Sequence, residues 1–144
     1  RNDMKEILFV CTGNTCRSPM AEVFFNKLAG EKGISAQAFS RGLFVAAAEP
    51  ANAKAIAAAK EYGCDLGGHT ATGMTMQDAE RADRILTMTK DQADALKAAL
   101  PEADVATLGG EDIPDPFGGS EEAYAAAAQA IYRAVDKLTD ELKV

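Results

Sequence analysis

Lys5-Glu6-Ile7-Leu8-Phe9-Val10 passes from two charged residues into four consecutive apolar ones and stops at a Thr-Gly-Asn cluster. A short apolar run bounded by turn residues reads as a strand buried on both faces, as in a parallel sheet. Ser18-Pro19 then predicts a helix start, with Ser18 as the capping hydroxyl, Pro19 at the first helical position and Glu22 in the first turn. Met20, Val23, Phe24 and Leu28 recur at helical spacing and form its apolar face. Further strands are expected over Ile34–Gly42, Asp83–Met88 and Val105–Leu108. Helices are expected over Pro50–Tyr62, ending at Gly63, and over Lys90–Leu100, stopped by Pro101. The last helix starts at Ser120 and carries Tyr124, Ala128, Ile131, Val135, Leu138 and Leu142 at spacings of four and three.

Strands alternating with helices predict an α/β sandwich with helices on both faces of a mostly parallel sheet and right-handed crossovers. Ligands of such sheets lie beyond the carboxyl ends of the strands, where the strand order switches. No repeat, low-complexity linker or composition break divides the chain, so residues 4–144 read as one domain, while Arg1-Asn2-Asp3 read as a vector-derived remnant. A chain of 144 residues buries enough surface to fold without disulfides or metal.

Composition narrows the function. The net charge is −7, and residues 101–144 hold 10 acidic against 3 basic side chains, so the basic footprint of a nucleic-acid binder is absent. No apolar run approaches the roughly 20 residues that span a bilayer, and no secretory leader pattern is present, which predicts a cytoplasmic protein without membrane contact. Three cysteines, an odd number, argue against a disulfide framework. No long apolar surface stripe demands a dimer, so a monomer is expected.

The segment Cys11-Thr12-Gly13-Asn14-Thr15-Cys16-Arg17-Ser18-Pro19 sits between the first strand and the first helix. Its spacing lets one loop curl around a tetrahedral anion, with backbone N–H groups pointing inward, the helix N-terminus adding positive potential and Arg17 gripping two oxygens. The same surroundings favour the thiolate form of a cysteine at the base of the cup. Taken singly, Cys11 reads better as a small buried hydrophobe and Arg17 as a surface residue. Their combination at a strand-to-helix junction favours chemistry.

This loop resembles the signature loop of the low-molecular-weight protein-tyrosine phosphatase family, and Asp115-Pro116-Phe117 resembles the family's late Asp-Pro-aromatic loop. The resemblance covers essentially the whole chain. It implies a flavodoxin-like three-layer sandwich with a four-stranded parallel sheet in the order 2-1-3-4. It also implies a cofactor-free reaction on phosphorylated proteins. In it, Cys11 attacks phosphorus to form a phosphocysteine, Arg17 and the loop amides of Thr12, Gly13, Asn14, Thr15 and Cys16 hold the phosphoryl oxygens, and Asp115 serves as general acid and then base. Ser18 resembles the serine that hydrogen-bonds the thiolate. Asn14 tolerates left-handed backbone, and its partners in the family correspond to Ser40 and His69. Cys16 resembles the second loop cysteine that can trap the oxidised nucleophile as a disulfide, against the alternative of inert packing. Cys64 reads as structural, and Cys11, Cys16, Cys64 and His69 lack the spacing of a zinc site.

Two positions depart from the tyrosine-specific pattern. Thr15 replaces a bulky aliphatic residue, and Phe117 is the single aromatic after Asp115-Pro116. Both departures resemble the protein-arginine phosphatase subgroup, in which the threonine sets selectivity. Phosphoarginine hydrolysis is therefore the expected activity and phosphotyrosine hydrolysis the alternative. Arsenate reduction on this fold needs further relay cysteines, which Cys64 alone does not resemble, and a binding module would need neither Cys11 nor Asp115.

Overall fold

The computed structural model describes residues 4–143; the proposed remnant at residues 1–3 lies outside them, as does Val144. The elements run β1 (Lys5–Cys11), α1 (Arg17–Lys32), β2 (Ala36–Gly42), α2 (Ala53–Lys60), α3 (Met76–Arg81), β3 (Arg84–Thr87), α4 (Lys90–Ala99), β4 (Val105–Thr107) and α5 (Glu121–Glu141). All four strands pair in parallel in the order β2-β1-β3-β4. β1 is central, and its alternating side chains explain the three layers. Ile7, Phe9 and Cys11 face a core shared with α1, α2 and α5, while Leu8 and Val10 face the smaller core beneath α4. Phe24 of α1 packs against Tyr62 and Tyr132, which stack on one another 4.5 Å apart. At the far end of the sheet Lys32 closes α1 onto α5 through Asp136, Thr139 and Asp140. No helix of the described residues is long and apolar enough to cross a membrane.

Two expectations about local structure need correction. α1 begins at Arg17, with Cys16 at the N-cap and no side-chain cap, so Ser18 lies inside the helix and Glu22 outside its first turn. Ser18 forgoes capping because its hydroxyl is used by the loop described below. The second helix is shorter than Pro50–Tyr62: Asn52 caps it through Lys54 N, and Pro50 instead bridges to Thr70. α3 was not expected. It buries no residue, so no apolar periodicity marks it, yet Thr75 and Asp78 form a reciprocal capping box.

The crossovers carry the chain from β1 to β2 on one side and on to β3 on the other. The strand order thus switches beside β1, and the loop leaving Cys11 opens at that switch.

Candidate active site

Cys11 ends β1 with its side chain almost fully buried, and residues 12–16 arch over it before α1 begins. The arch requires a left-handed residue: Asn14 has φ 58°, the single non-glycine with positive φ among the described residues. Its side chain is wholly buried and its orientation is forced. Oδ1 accepts from the backbone N–H of Thr72 at 2.9 Å, so Nδ2 is the donor, to Ser18 Oγ at 2.9 Å and Ser40 Oγ at 3.0 Å. Ser40 in turn donates to Glu22 at 2.7 Å. Ser18 Oγ, having accepted from Asn14, lies 2.9 Å from Cys11 Sγ and 3.5 Å from the Arg41 carbonyl. Either Ser18 or Cys11 can be the donor of the shorter contact, and Asn14 N–H also points at the sulfur at 3.3 Å. Two hydrogen-bonding groups, Ser18 Oγ and the Asn14 N–H, thus converge on the Cys11 sulfur.

The carbonyl of Asn14 is held by His69 Nε2 at 2.7 Å, which places the chain's one histidine in support of the loop. Gly42, opposite Cys11 in the β1–β2 register, has no room for a side chain: a Cβ there would meet Val45 Cγ2 at 2.6 Å and the Thr12 carbonyl at 2.8 Å. Thr12 is braced by Gln92, whose Oε1 accepts from Met88 and Thr89 N–H while Nε2 donates to Thr12 Oγ1 at 3.1 Å.

Arg17 is buried in the first turn of α1, donates to the Ile113 carbonyl at 2.8 Å and lies 3.6 Å from Asp115. One residue thereby joins the phosphate loop to the Asp115 loop. That second loop turns at Pro116–Gly119, where Gly119 N–H donates to the Pro116 carbonyl and Gly118 takes φ 79°. Lys54 at the start of α2 donates to the Gly119 carbonyl at 2.7 Å. The pocket between the loops encloses about 300 Å³. Its walls include Cys11, residues 12–17, Asp115 and Phe117, as well as Phe44 and Glu49 from the loop after β2.

Phe117, the single aromatic after Asp115-Pro116, is joined at the pocket by Phe44 from another loop: Phe44 is 77% exposed and Phe117 72%. Sequence reasoning missed Phe44, Glu22, Thr72 and Gln92. Of these only Gln92 had a local signature, as the third residue after the Thr89 cap.

Cys16 is also buried, and burial pushes its thiol above the ordinary cysteine range, with the charges of Asp115 and Cys11 adding to the effect. Its Sγ donates to Tyr124 OH at 3.8 Å, and the Tyr124 phenol is pushed up to about 12, mainly by burial. Cys64 packs against the Val23 carbonyl of α1, apart from the pocket.

The profile described as "Low molecular weight phosphotyrosine protein phosphatase" matches residues 6–144. The chain is 32% identical over 146 residues to the protein-arginine-phosphatase of Bacillus subtilis (strain 168), covering 96% of this chain and 97% of the relative. It is 34% identical over 139 residues to the low molecular weight protein-tyrosine-phosphatase PtpB of Staphylococcus epidermidis, covering 92% and 96%. The crystal structure of the low molecular weight protein tyrosine phosphatase from T. tengcongensis superposes with a TM-score of 0.91 at 36% identity, covering 96% of this chain and 99% of that one. A parallel sheet with a cysteine cup at its switch point, matched over nearly its full length, places this chain in the family of low molecular weight, cysteine-based protein phosphatases.

Proposed function

We propose that the chain removes phosphate from phosphoarginine in proteins, as a monomer in the cytoplasm. The observation that carries this reading is Thr15, a half-buried hydroxyl on the pocket wall where tyrosine-specific members carry a branched alkyl group. A hydroxyl there leaves room for a planar guanidinium and offers it an acceptor, whereas an alkyl group leaves a buried N–H unpaired. The kinship to an arginine phosphatase supports the same reading.

The proposed reaction has two steps. Cys11 Sγ attacks phosphorus in line while Arg17 and the amides of residues 12–16 hold the equatorial oxygens. As the S–P bond forms and the P–N bond breaks, Asp115 delivers its proton to the leaving nitrogen. Water then attacks phosphocysteine, Asp115 as carboxylate takes its proton, and phosphate leaves with the thiolate restored. Ser18 holds the sulfur, while Asn14, Ser40 and His69 hold the arch.

The test is turnover of a phosphoarginine protein and a phosphotyrosine peptide side by side. The wild type is expected to prefer phosphoarginine, and Thr15→Ile is expected to reverse the ratio by roughly 5- to 150-fold. An unchanged ratio removes Thr15 as the selector. A phosphotyrosine preference in the wild type favours the second reading, which rests on the exposed rings of Phe44 and Phe117 and on the equally similar tyrosine phosphatases.

A further inference from the structure

Among the described residues, Arg17 is the single cationic side chain lining the pocket, and it is buried there, already engaged with Ile113 and Asp115. The wall beside it carries a carboxylate that the phosphatase chemistry does not use. Glu49 lines the pocket at the end of the segment that begins with Phe44. Its backbone is fixed: its carbonyl accepts from Ala71 N–H at 2.7 Å, and the next residue, Pro50, bridges to Thr70. Its side chain is exposed and enters no ion pair among the described residues. A negative group here opposes the phosphoryl dianion, so it lowers affinity for every substrate unless the substrate brings a compensating positive charge. Two exposed rings that line the same pocket, Phe44 and Phe117, suit a cation as well as a neutral ring.

We propose that Glu49 is a specificity-determining residue that selects substrates carrying positive charge next to the phosphoryl group. The assignment builds on the phosphoarginine reading, in which that charge is the protonated guanidinium. Glu49 accepts from, or faces, the guanidinium N–H groups that do not bear phosphorus, while repelling substrates without a cation.

The experiment compares wild type, Glu49→Gln and Glu49→Lys on three measurements at low and high salt: kcat/KM for a phosphoarginine peptide, kcat/KM for p-nitrophenyl phosphate, and inhibition by inorganic phosphate. Glu49→Gln is expected to lower kcat/KM for phosphoarginine roughly three- to tenfold, mostly through KM, and Glu49→Lys to lower it further. Both are expected to strengthen phosphate inhibition, and both effects are expected to shrink in salt. General damage to the pocket weakens substrate and phosphate together, so the opposite signs identify the electrostatic role. Equal changes on all three measurements, or none, overturn the proposal. If the wild type does not hydrolyse phosphoarginine, the functional reading fails by itself. Glu49 is then judged on phosphotyrosine peptides flanked by Arg or by Glu: loss of a preference for the Arg-flanked peptide in Glu49→Gln upholds its role, and an unaltered preference refutes it.

Discussion

Asn14 and Asp115 both line one pocket and are held in opposite ways. Asn14 is wholly buried, and its side chain reaches Ser18, Ser40 and Thr72, which fixes both its rotamer and the arch above Cys11. Asp115 is half exposed; its Oδ1 accepts from Phe117 N–H and its Oδ2 lies 3.6 Å from Arg17. In the reaction proposed above, the difference separates two tasks. Oxygens that gain charge in the transition state need dipoles already aimed at them, since reorientation during the reaction would cost the energy gained. A proton carrier that alternates between acid and base has to release, reload and admit water, so a lightly tethered carboxylate at the rim suits it.

Substitutions on the two sides therefore should fail differently. Cys11→Ser should lower kcat by roughly 10⁴-fold or more while a thermal shift on adding phosphate persists, because the cup survives without its sulfur. Asp115→Asn should lower kcat by about 10²- to 10⁴-fold on poor leaving groups and far less on p-nitrophenyl phosphate, with the melting temperature unchanged. Steady-state kinetics across leaving groups would check this; an equal loss on all of them would remove Asp115 as the acid. Asn14→Ala should destabilise the fold by about 3 kcal/mol in urea unfolding, from three lost hydrogen bonds and a strained left-handed backbone, and should weaken phosphate binding as well.

The smallest effect concerns the shell behind the cup. Tyr124 holds its proton up to about 12, above the ordinary 10.0. A raised value means that the folded state binds the proton more tightly, so this stabilisation is complete below about pH 10 and disappears as pH rises through about 12. Tyr124→Phe should flatten that alkaline loss, measured as urea stability between about pH 9 and about pH 12.

The strand, loop and helix from Lys5 to Lys32 were largely legible because their determinants are local: four apolar residues, a turn cluster and a helical apolar face. The same local rules misread Ser18, since Ser-Pro predicts a cap while Asn14 and Cys11, brought close by the folded loop, claim the hydroxyl. The brace from Gln92 to Thr12 spans 80 residues of sequence and has no periodicity to announce it. Glu22 resembled an ordinary first-turn acid until β2 brought Ser40 against it. Phe44 and Glu49 sit on an irregular loop whose path follows from the Gly42–Gly73 and Pro50–Thr70 bridges, which no pattern of residue types reveals.

The bonds that gather at Asn14 come from Ser18, Ser40, His69 and Thr72, segments far apart along the chain. Because those bonds come from β2 and the 69–72 segment, the arch is expected to close only once both have docked, late in folding. A nascent or partly unfolded chain would carry the cysteine and the arginine without a functioning anion cradle, so hydrolysis reports completed folding. Recovery of activity during refolding should lag behind recovery of helical circular dichroism.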